Sequence, residues 1–547
     1  MGKIIPFKLN RNRKGKPEEK AKEEAPSVAE RMAQVRAQLE AIERLAEQQA
    51  AEKQLPTFME FEKELKEKLH AVGRATAELF LTRAEERVAA ACNDGVQCGE
   101  RFLCPAPKLQ ARNLTCDFGV VRYFRTYLRE NHAGKRRGFH PLDTALGLIA
   151  DRFSWSVLSV AARLATKMSF AEAKATMGLF LPNAPSTEVI EQTVLGLGKF
   201  TQRWFADLPA QQGDGEVLVI MIDSKGAPTA TDEELRRRRG KRHHRAAPSP
   251  RHRGRQRRGS YPKKARRKKG DKSKHAKMGT LVVMYTLRRD GPLLLGPLNR
   301  TIYASFAPKE HAFQVARREA DKRGFAQGSG RLIQLVTDGD LDLDCYAKRY
   351  FPGAIHTIDV MHVVEKLWTA GECIHAEGSP ELKRWVARQR KRLYGSRAGE
   401  IVNELRRQVE KTPRTGPGNK GRRERLTNVA SYLENRLAQL NYKALLEQDL
   451  EIGSGAVEGA VKNVIGKRCD HGGMRWIKER LEALVQLRCI ELNGHWDAFV
   501  ATVHDRLKAG ATETGRRPRL QSKSPAPLPE VIKHSGATGP AGASEAA

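Results

Sequence analysis

The sequence predicts an α/β domain, a mixed five-stranded sheet covered by helices, preceded by mainly helical regions. Apolar runs of strand length begin at residue 216, first in hairpin order and later alternating with helical segments. Hairpins followed by strand–helix alternation are typical of a mixed sheet with helices packed on it. A chain of 547 residues is also too long for one compact core, so we expect roughly two to four domains.

The region before the sheet is predicted to be helical. After a basic, disordered leader (1–25), residues 26–91 are rich in Ala, Glu, Lys and Leu, with apolar residues three and four apart and a break near Pro56. A plain packing helix, a helical hairpin and a dimeric coiled coil all fit this pattern. Residues 92–137 form a small cysteine-containing region.

Residues 138–206 predict a string of short helices. Within them, "SFAEAKATMGLFLPNAPSTEVIEQTVLGLG" has the outline of a helix-turn-helix, with Ser186 as the N-cap of its second helix. Many helical hairpins share this outline, so DNA binding and plain packing both remain open.

The α/β domain is predicted to begin at residue 213. Its strands lie in "EVLVIMID" (216–223), "TLVVMYTL" (280–287), "LNRTIYASF" (298–306), "RLIQLVTDGD" (331–340) and "AIHTIDVMH" (354–362), with helices over "KEHAFQVARREADKRG" and "DCYAKRYF". Charged helices follow up to residue 450, and a helix opens after "EIGSG" at about residue 455. The composition of residues 511–547 predicts a disordered tail.

Charge makes nucleic acid the expected partner. The chain has 98 Lys and Arg against 64 Asp and Glu, a net charge of +34. Residues 236–277 alone contain 21 Lys or Arg and one acid, and lack the apolar residues to fold independently. We interpret the loop 232–278 as disordered or ordered by a ligand. A solubility segment or a localisation signal is the alternative, although an interior position between two strands argues against a mere tail.

The cysteines and the hydropathy of the sequence indicate where in the cell the protein is expected. Eight irregularly spaced cysteines do not form a disulfide framework, and the gaps among Cys92, Cys98, Cys104 and Cys116 exceed those of structural zinc pairs. No window approaches 18 uncharged apolar residues, and the N-terminus lacks an apolar core of signal-peptide length. We therefore expect a cytoplasmic protein without a membrane partner.

Two aspartates in similar positions are the candidate catalytic residues. Asp223 and Asp338 each directly follow an apolar strand, at the end where α/β sheets place ligands. If the two strands are parallel neighbours, both carboxylates can reach one cation. A third carboxylate, Glu458, lies at the edge of the buried stripe of its helix and is expected to face the sheet margin.

Convergent carboxylates suit Mg²⁺, and two such ions about 3.5 to 4 Å apart support in-line phosphodiester displacement. Turn formation or helix N-capping is the plainer interpretation of either aspartate alone. "DGDLDLD" (338–344) also resembles the start of a calcium loop but lacks the Gly and Glu that such a loop needs.

Over residues 138–500 the chain resembles a bacterial insertion-sequence DDE transposase of the ISKra group, related to Mutator-like transposases. The stretches that carry the resemblance are "GFHPLDTALGL", "VIMIDSKG", "LVTDGD", "IDVMHVVEKLW", "GSGAVEGAVKNVIGKR" and "GGMRW…LVQLRCIELNGHWD". The combination is specific, although each piece alone is not.

The resemblance implies an RNase H-like catalytic domain in two parts (213–375 and 451–505), interrupted by a helical insertion (376–450). It makes Asp223, Asp338 and Glu458 the catalytic triad and the ligands of two Mg²⁺ or Mn²⁺ ions. In such a fold the first and fourth strands are parallel neighbours. "IDVMH" matches a (C/D)-x-x-H signature, which gives Asp359 and His362 an auxiliary role near the site.

The expected function is binding of the element's terminal inverted repeats, followed by hydrolysis and strand transfer into target DNA. The expected partner is double-stranded DNA, with a homodimer or higher oligomer assembled on it at the nucleoid. The candidate phosphate contacts are Lys225, which is otherwise a plain surface lysine, and Arg236, Arg237, Arg238, Arg239, Lys263, Lys264, Arg266, Arg267, Lys268 and Lys269.

The N-terminal region departs from the family. Relatives tend to carry two close cysteine pairs before "PLD", whereas here "CNDGVQCGERFLC" is irregular and "RENHAGKRRGF" has none, which argues against zinc. The alternatives to a transposase are an RNase H-like structure-specific nuclease and a non-catalytic nucleic-acid-binding protein derived from a transposase.

Overall fold

The computed structural model of the chain describes residues 24–98, 101–130, 138–148, 152–231, 233, 276–470, 474–514 and 519–532. The chain divides into two compact units. Unit 1 comprises Met1–Val157, Leu181–Asn183 and Arg506–Pro518, and unit 2 comprises Leu158–Phe180, Ala184–Asp505 and Arg519–Ala547. The segment 138–206, predicted as one helical domain, is therefore divided between the two units.

Unit 1 contains an antiparallel helical hairpin. Its helices are α1 (Val28–Ala50) and α2 (Phe58–Ala91), and each begins with a capping box. Arg31 near the start of α1 pairs with Glu78 in α2, while Gln49 at the end of α1 donates to Glu64 at 2.9 Å. The predicted helix break near Pro56 lies between the two helices.

The rest of unit 1 contains short strands and one short helix. The strands are β1 (Val96–Cys98), β2 (Arg101–Pro105), β3 (Gln110–Cys116), β4 (Gly119–Arg125), β5 (Leu128–Arg129) and β6 (Gly138–Phe139), and the helix is α3 (Pro141–Ala145). Strands β3 and β4 form a hairpin, while the other four form a sheet in the order β1-β2-β5-β6.

Asp143, the acid of the "PLD" stretch, is buried in α3. It forms ion pairs with Arg112, at 2.9 Å, and with Arg125, and it accepts a hydrogen bond from Tyr123 Oη at 2.8 Å. Both arginines belong to the β3–β4 hairpin. This motif residue therefore ties α3 to that hairpin.

Unit 2 is built on a five-stranded mixed sheet, as predicted. Its strands are β7 (Val217–Pro228), β8 (Ala276–Asp290), β9 (Leu293–Ser305), β10 (Leu332–Thr337) and β11 (Ile355–Ile358), in the order β11-β10-β7-β8-β9. β7, β8 and β9 are antiparallel neighbours, whereas β10 and β11 run parallel to β7. Residues 217–222 are all buried, which requires cover on both faces of the sheet.

Four helices precede this sheet in the chain: α4 (Trp155–Lys167), α5 (Phe170–Gly178), α6 (Thr187–Gly198) and α7 (Thr201–Asp207). Two lie between its later strands, α8 (Lys309–Lys322) and α9 (Leu341–Tyr350). After β11 come α10 (Val360–Gly371), α11 (Pro380–Tyr394), α12 (Ala398–Lys411), α13 (Asn419–Glu434), a 3₁₀ turn (Leu437–Gln439) and α14 (Tyr442–Glu447).

The final helices begin with α15 (Gly455–Val461), a π-helical turn (Lys462–Gly466) and α16 (Lys467–Cys469), which follow one another directly. They end with α17 (Lys478–Leu492) and α18 (Trp496–Thr514).

Helices α5 and α6 have the predicted connection, and the second helix is exposed at its start but covered over its C-terminal half. Ser186 Oγ accepts a hydrogen bond from Val189 N at 3.3 Å, as an N-cap does. From Thr193 to Gly198, however, every residue of α6 is buried. A β-carbon at Gly198 would lie 2.4 Å from Ala483 Cβ in α17. The C-terminal half of α6 is thus a packing surface, and only the first turns of the helix are accessible to a partner.

Parts of several predictions fall outside the described residues. These include residues 1–23 of the leader, residues 99–100 and 131–137 of the cysteine-containing region, most of the basic loop with the ten cations named above, and residues 515–518 and 533–547 of the predicted tail. The described part of that tail continues α18 to Thr514. Residues 519–532 then run along unit 2, where Leu520 is buried and Ser522 N donates to Gln192 O at 3.0 Å. Within the described ranges, no helix has both the length and the apolarity needed to cross a membrane.

Candidate metal-binding carboxylate site

Asp223 and Asp338 follow paired positions on neighbouring parallel strands. Strands β7 and β10 are in register from Val217 opposite Leu332 to Ile222 opposite Thr337. The next residue on each strand is one of the two aspartates, so both lie at the end of this parallel pairing. Contrary to expectation, β7 does not end at Asp223, because the strand continues to Pro228 and Asp223 lies opposite Leu281 of β8. The parallel neighbourhood that the shared-cation hypothesis needs is therefore present.

Asp223 is half-buried among other charged side chains. Its Oδ1 accepts a hydrogen bond from Ser224 N at 2.6 Å. Burial raises the pKa of Asp223, and the negative charges of Asp338 and Glu458 add to this effect, while the amide of Ser224 and His362 oppose it. Asp223 thus lies within electrostatic reach of both other predicted catalytic acids and of His362.

Asp338 forms a turn of its own. Its Oδ1 accepts a hydrogen bond from Asp340 N at 2.9 Å. Asp340, rather than Asp338, is the N-cap of α9, and Lys309 Nζ lies 2.9 Å from Asp340 Oδ2. Asp338 therefore does form a turn, but the turn uses only one of its two carboxylate oxygens.

Asp359 is fully buried and strongly hydrogen-bonded. It N-caps α10 through Met361 N, at 2.8 Å from Oδ1, and its Oδ2 accepts from His362 Nδ1 at 2.9 Å and from Ser454 Oγ. Burial acts to raise the pKa of Asp359, but the bonds from His362, Ser454 and Met361 outweigh it and hold the pKa below its ordinary value. Asp359 is thus an anionic anchor for the side chains around it.

His362 is the cation of the site. The hydrogen bond with Asp359 raises the pKa of His362 to about 9, against the opposing effect of burial. The negative charges of Asp359 and Asp338 contribute in the same direction. At neutral pH the ring is therefore an imidazolium, and it partly balances the surrounding carboxylates.

Glu458 is in the first turn of α15 and, contrary to expectation, is solvent-exposed. The apolar stripe beside it is buried as predicted, with Val457, Ala460 and Val461 facing the core. The error came from treating an edge position as covered, whereas the first turn of this helix leaves its outer side open. Ser454 Oγ lies 3.5 Å from Glu458 Oε1 and links Glu458 to Asp359.

One group of possible metal ligands is notably close. In the described part of the chain, Asp359, His362 and Glu458 each offer a ligand atom, and these atoms all lie within 4.8 Å of one another. The structure thus joins Glu458 most closely to the two auxiliary residues. Asp223 and Asp338 are not in that group, and Asp223 interacts electrostatically with both Glu458 and Asp338.

The donor chemistry fits a hard divalent cation. Asp223 and Asp338 each use Oδ1 for a backbone amide, and among the described residues no hydrogen bond is found for the Oδ2 atom of either. Glu458 adds an exposed carboxylate. Burial and the charges of Asp338 and Glu458 raise the pKa of Asp223, so the ionised form of Asp223 favours a cation nearby, and carboxylate oxygens are donors that suit hard divalent cations. No cysteine belongs to the close group.

Lys225 lies beside the helix that carries Glu458. A β-carbon at Gly466, the last residue of the π-helical turn, would be 3.5 Å from Lys225 Nζ. π-Helical turns occur often at functional sites, since they displace the residues that follow them. Lys225 is two residues beyond Asp223 in the chain, and its amine lies against this turn.

Sequence reasoning missed Ser454. The residue lies in "GSGAVEG", four positions before Glu458, and its hydroxyl connects two acids that are 99 residues apart in the chain. Its only sequence signal is a serine just before a helix, which usually indicates an N-cap. Here it makes no capping bond and binds Asp359 instead.

Known protein families provide no match to this chain, and no curated protein is detectably similar to it.

Proposed function

We propose that this chain is a DNA transposase that hydrolyses and joins phosphodiester bonds at the ends of an insertion sequence. One observation carries the proposal. Asp223 and Asp338 come directly after the paired residues Ile222 and Thr337 of adjacent parallel strands, and Glu458 acts electrostatically on Asp223. Three acids brought to one sheet edge from distant parts of the chain are hard to explain by turn formation alone.

The strand arrangement supports an RNase H-like fold. Three antiparallel strands are followed by two strands parallel to the first, with β7 and β10 in the middle of the sheet. Helices α11 to α14 lie between Asp338 and Glu458 in the chain, where the resemblance expects an insertion. The whole set of acids, strand order and intervening helices is consistent with a DDE transposase.

Asp223, Asp338 and Glu458 would hold two Mg²⁺ or Mn²⁺ ions through carboxylate oxygens. When bound, such ions supply positive charge that activates the attacking oxygen and stabilises the leaving one during in-line displacement. The carboxylates themselves make no covalent bond to DNA. Water attacks in the hydrolytic step, and a freed 3′-hydroxyl attacks in the joining step.

Asp359, His362 and Ser454 would orient the carboxylates. Asp359 is anchored by three hydrogen bonds at the start of α10, and it fixes both His362 and Ser454. Through these two side chains the position of Glu458 is tied to the end of β11. His362, as an imidazolium, would also attract a DNA phosphate toward the carboxylates.

DNA is the partner that the charge favours. A net charge of +34, with 21 cations in residues 236–277, suits binding to phosphates. This segment joins β7 to β8, so it begins a few residues after Pro228, the last residue of the strand that contains Asp223. Contacts of this kind fix the position of the duplex without reading bases. Recognition of the inverted repeats would then require other residues and a homodimer or higher oligomer.

The proposal is tested by cleavage and strand-transfer assays on the element's ends, found as inverted repeats that flank the gene. The full chain is assayed with Mg²⁺ or Mn²⁺ and compared with Asp223→Asn, Asp338→Asn and Glu458→Gln. Glu410→Gln, an exposed acid of α12, is the matched control. Each triad substitution should reduce both reactions by about a thousandfold or more, since all three residues act as one unit.

The products separate the rival functions. Cleaved DNA without joined products would indicate a nuclease that uses water alone. If the wild type binds DNA but neither cleaves nor joins it, the protein is non-catalytic. Full activity in either Asp338→Asn or Glu458→Gln would remove the triad.

A further inference from the structure

The loop after β10 is held in one conformation. Gly339 has a φ of +79°, in the left-handed region that favours glycine. A β-carbon on Gly339 would lie 2.5 Å from Tyr432 Oη and 3.2 Å from Arg436 Nε. The loop that begins with Asp338 is therefore pressed closely against two side chains from a distant part of the chain.

These two side chains bind the backbone of the loop. Tyr432 Oη donates a hydrogen bond to the carbonyl oxygen of Asp338 at 3.1 Å. Arg436 Nη2 donates to the carbonyl oxygen of Gly339 at 2.7 Å. Tyr432 belongs to α13 and Arg436 follows that helix directly, so the helical segment between Asp338 and Glu458 reaches back to the sheet edge.

The two residues also support each other. The Arg436 guanidinium stacks 4.4 Å from the centre of the Tyr432 ring, and it pairs with Asp344 of α9 at 3.2 Å. Lys366 Nζ lies 5.5 Å from the same ring. Burial raises the pKa of Tyr432 above its ordinary value, so the hydroxyl keeps the proton that it donates. Arg436 is 4% exposed, which leaves its guanidinium little freedom to move.

We infer that Tyr432 and Arg436 are positioning residues that fix Asp338 for cation binding. The inference rests on the proposed function, in which Asp338 is a metal ligand. Their two hydrogen bonds end on the carbonyls of residues 338 and 339, while Asp340 N holds Asp338 Oδ1 from the other side. With the backbone and Oδ1 both fixed, the direction of Oδ2 is fixed as well.

Packing alone would not require this arrangement. A helix that only covered the sheet edge would contact the loop through apolar side chains, and any residual polar groups could be met by water. Here a hydroxyl and a guanidinium bind successive carbonyls beside one carboxylate. Partners that orient a ligand in this way commonly change metal affinity when they are altered.

The test measures Mn²⁺ binding to the full chain without DNA, by the electron paramagnetic resonance signal of free Mn²⁺. Tyr432→Phe keeps the ring but removes the hydroxyl, and Arg436→Lys keeps the charge but removes the planar fork. Tyr350→Phe is the matched control, because it removes a tyrosine hydrogen bond of 2.8 Å to Glu310 away from the loop. Asp338→Asn reports whether Asp338 binds the ion at all.

We expect Tyr432→Phe and Arg436→Lys to weaken Mn²⁺ binding about tenfold, as changes to residues that orient metal ligands do, and Tyr350→Phe to leave it unchanged. A general loss of stability would lower the melting temperatures of Tyr432→Phe and Tyr350→Phe alike without this difference in affinity. If Asp338→Asn loses binding while Tyr432→Phe and Arg436→Lys match the control, the positioning role is refuted and the proposed function stands. If Asp338→Asn binds Mn²⁺ as the wild type does, Asp338 is not a metal ligand, and both the positioning role and the proposed function are refuted.

Discussion

Ile222 pairs with Thr337 across the parallel strands β7 and β10, and the residues that follow them are Asp223 and Asp338. This pairing converts two sequence positions 115 residues apart into neighbours at one sheet edge. The register of β7 with β10 determines where the two aspartates lie, independently of any bound ion. The energetic consequence is that carboxylates gather before a cation is present to balance them.

Asp223→Asn should therefore stabilise unit 2 while it abolishes cleavage. Burial and the charges of Asp338 and Glu458 raise the pKa of Asp223, so its ionised form at neutral pH costs folding free energy. Asparagine can keep the hydrogen bond from Ser224 N to Oδ1. We expect a gain of about 1 kcal/mol in the free energy of unfolding, of the size seen when active-site charges are removed.

The measurement is thermal unfolding in EDTA, and Glu410→Gln serves as the exposed control. Excess Mg²⁺ should reverse the order, because the wild type gains stability from the bound ion and the variant does not. A variant that is less stable than the wild type in EDTA would show that Asp223 is a structural residue.

The sheet was largely predictable from local sequence. Each of its strands is a β-rich apolar run, and β10 ends just before Asp338 as "LVTDGD" indicates, whereas β7 continues past the acid of "VIMID" to Pro228. Sequence periodicity could not give the pairing of β7 with β10, because strand order depends on long-range contacts. The resemblance implied that pairing, and the two strands are indeed paired in parallel.

The surroundings of the site were less predictable. The bond from Ser454 to Asp359 and the bond from Tyr432 to Asp338 each join residues more than 90 positions apart, and neither serine nor tyrosine has a distinctive local pattern. Helix α6 had the right cap and turn for a recognition helix, but its burial depends on α17, almost 300 residues later. Local signals predict that a helix forms, not what covers it.

Gly339→Ala should be more damaging than an equivalent change elsewhere. Alanine at a φ of +79° is strained by roughly 1 kcal/mol, and the added methyl group would also collide with Tyr432 Oη. Gly353 has a φ of +83° but has no atom within 4 Å of an added β-carbon. Gly353→Ala therefore isolates backbone strain from collision.

We expect Gly339→Ala to lower the free energy of unfolding by about 1 to 3 kcal/mol more than Gly353→Ala, as overpacking typically does. Urea titration of the two variants measures the difference. Gly339→Ala should also weaken Mn²⁺ binding, whereas Gly353→Ala should not. Equal unfolding free energies would mean that Tyr432 moves aside at little cost.

Asp143→Asn should destabilise unit 1. Asp143 is buried between Arg112 and Arg125, so its neutralisation removes a buried negative charge that pairs with both arginines. Removing one partner of a buried ion pair costs about 3 to 5 kcal/mol. Asp117→Asn is the control, since Asp117 is exposed and accepts a hydrogen bond from Ser156 Oγ at 2.7 Å.

Hydrogen exchange is the suitable measurement, because the two units need not unfold together. Amides of the β3–β4 hairpin should exchange faster in Asp143→Asn, while those of β7 and β10 keep their wild-type rates. Unchanged protection in the hairpin would show that the arginines find other partners.

Glu482 should make the stability of unit 2 depend on pH. It is buried in α17, and burial raises its pKa to about 7, although Phe306 N, Ser305 Oγ and Gln486 Nε2 all donate to it. A carboxyl whose pKa is higher in the folded than in the unfolded state binds its proton more tightly when folded. Its contribution to stability is therefore fully present below the unfolded pKa of 4.5 and is lost as the pH rises through 7.

Glu482→Gln mimics the protonated form at every pH, so it should remove this loss. Between pH 4.5 and pH 7.5 the wild type should lose roughly 3 kcal/mol of unfolding free energy relative to Glu482→Gln, as a shift of this size implies. Urea titrations at several pH values measure the difference, with Glu424→Gln, an exposed acid of α13, as the control. Parallel pH profiles for the wild type and Glu482→Gln would mean that Glu482 ionises inside the fold without cost, and the three donors around its carboxylate would then outweigh its burial.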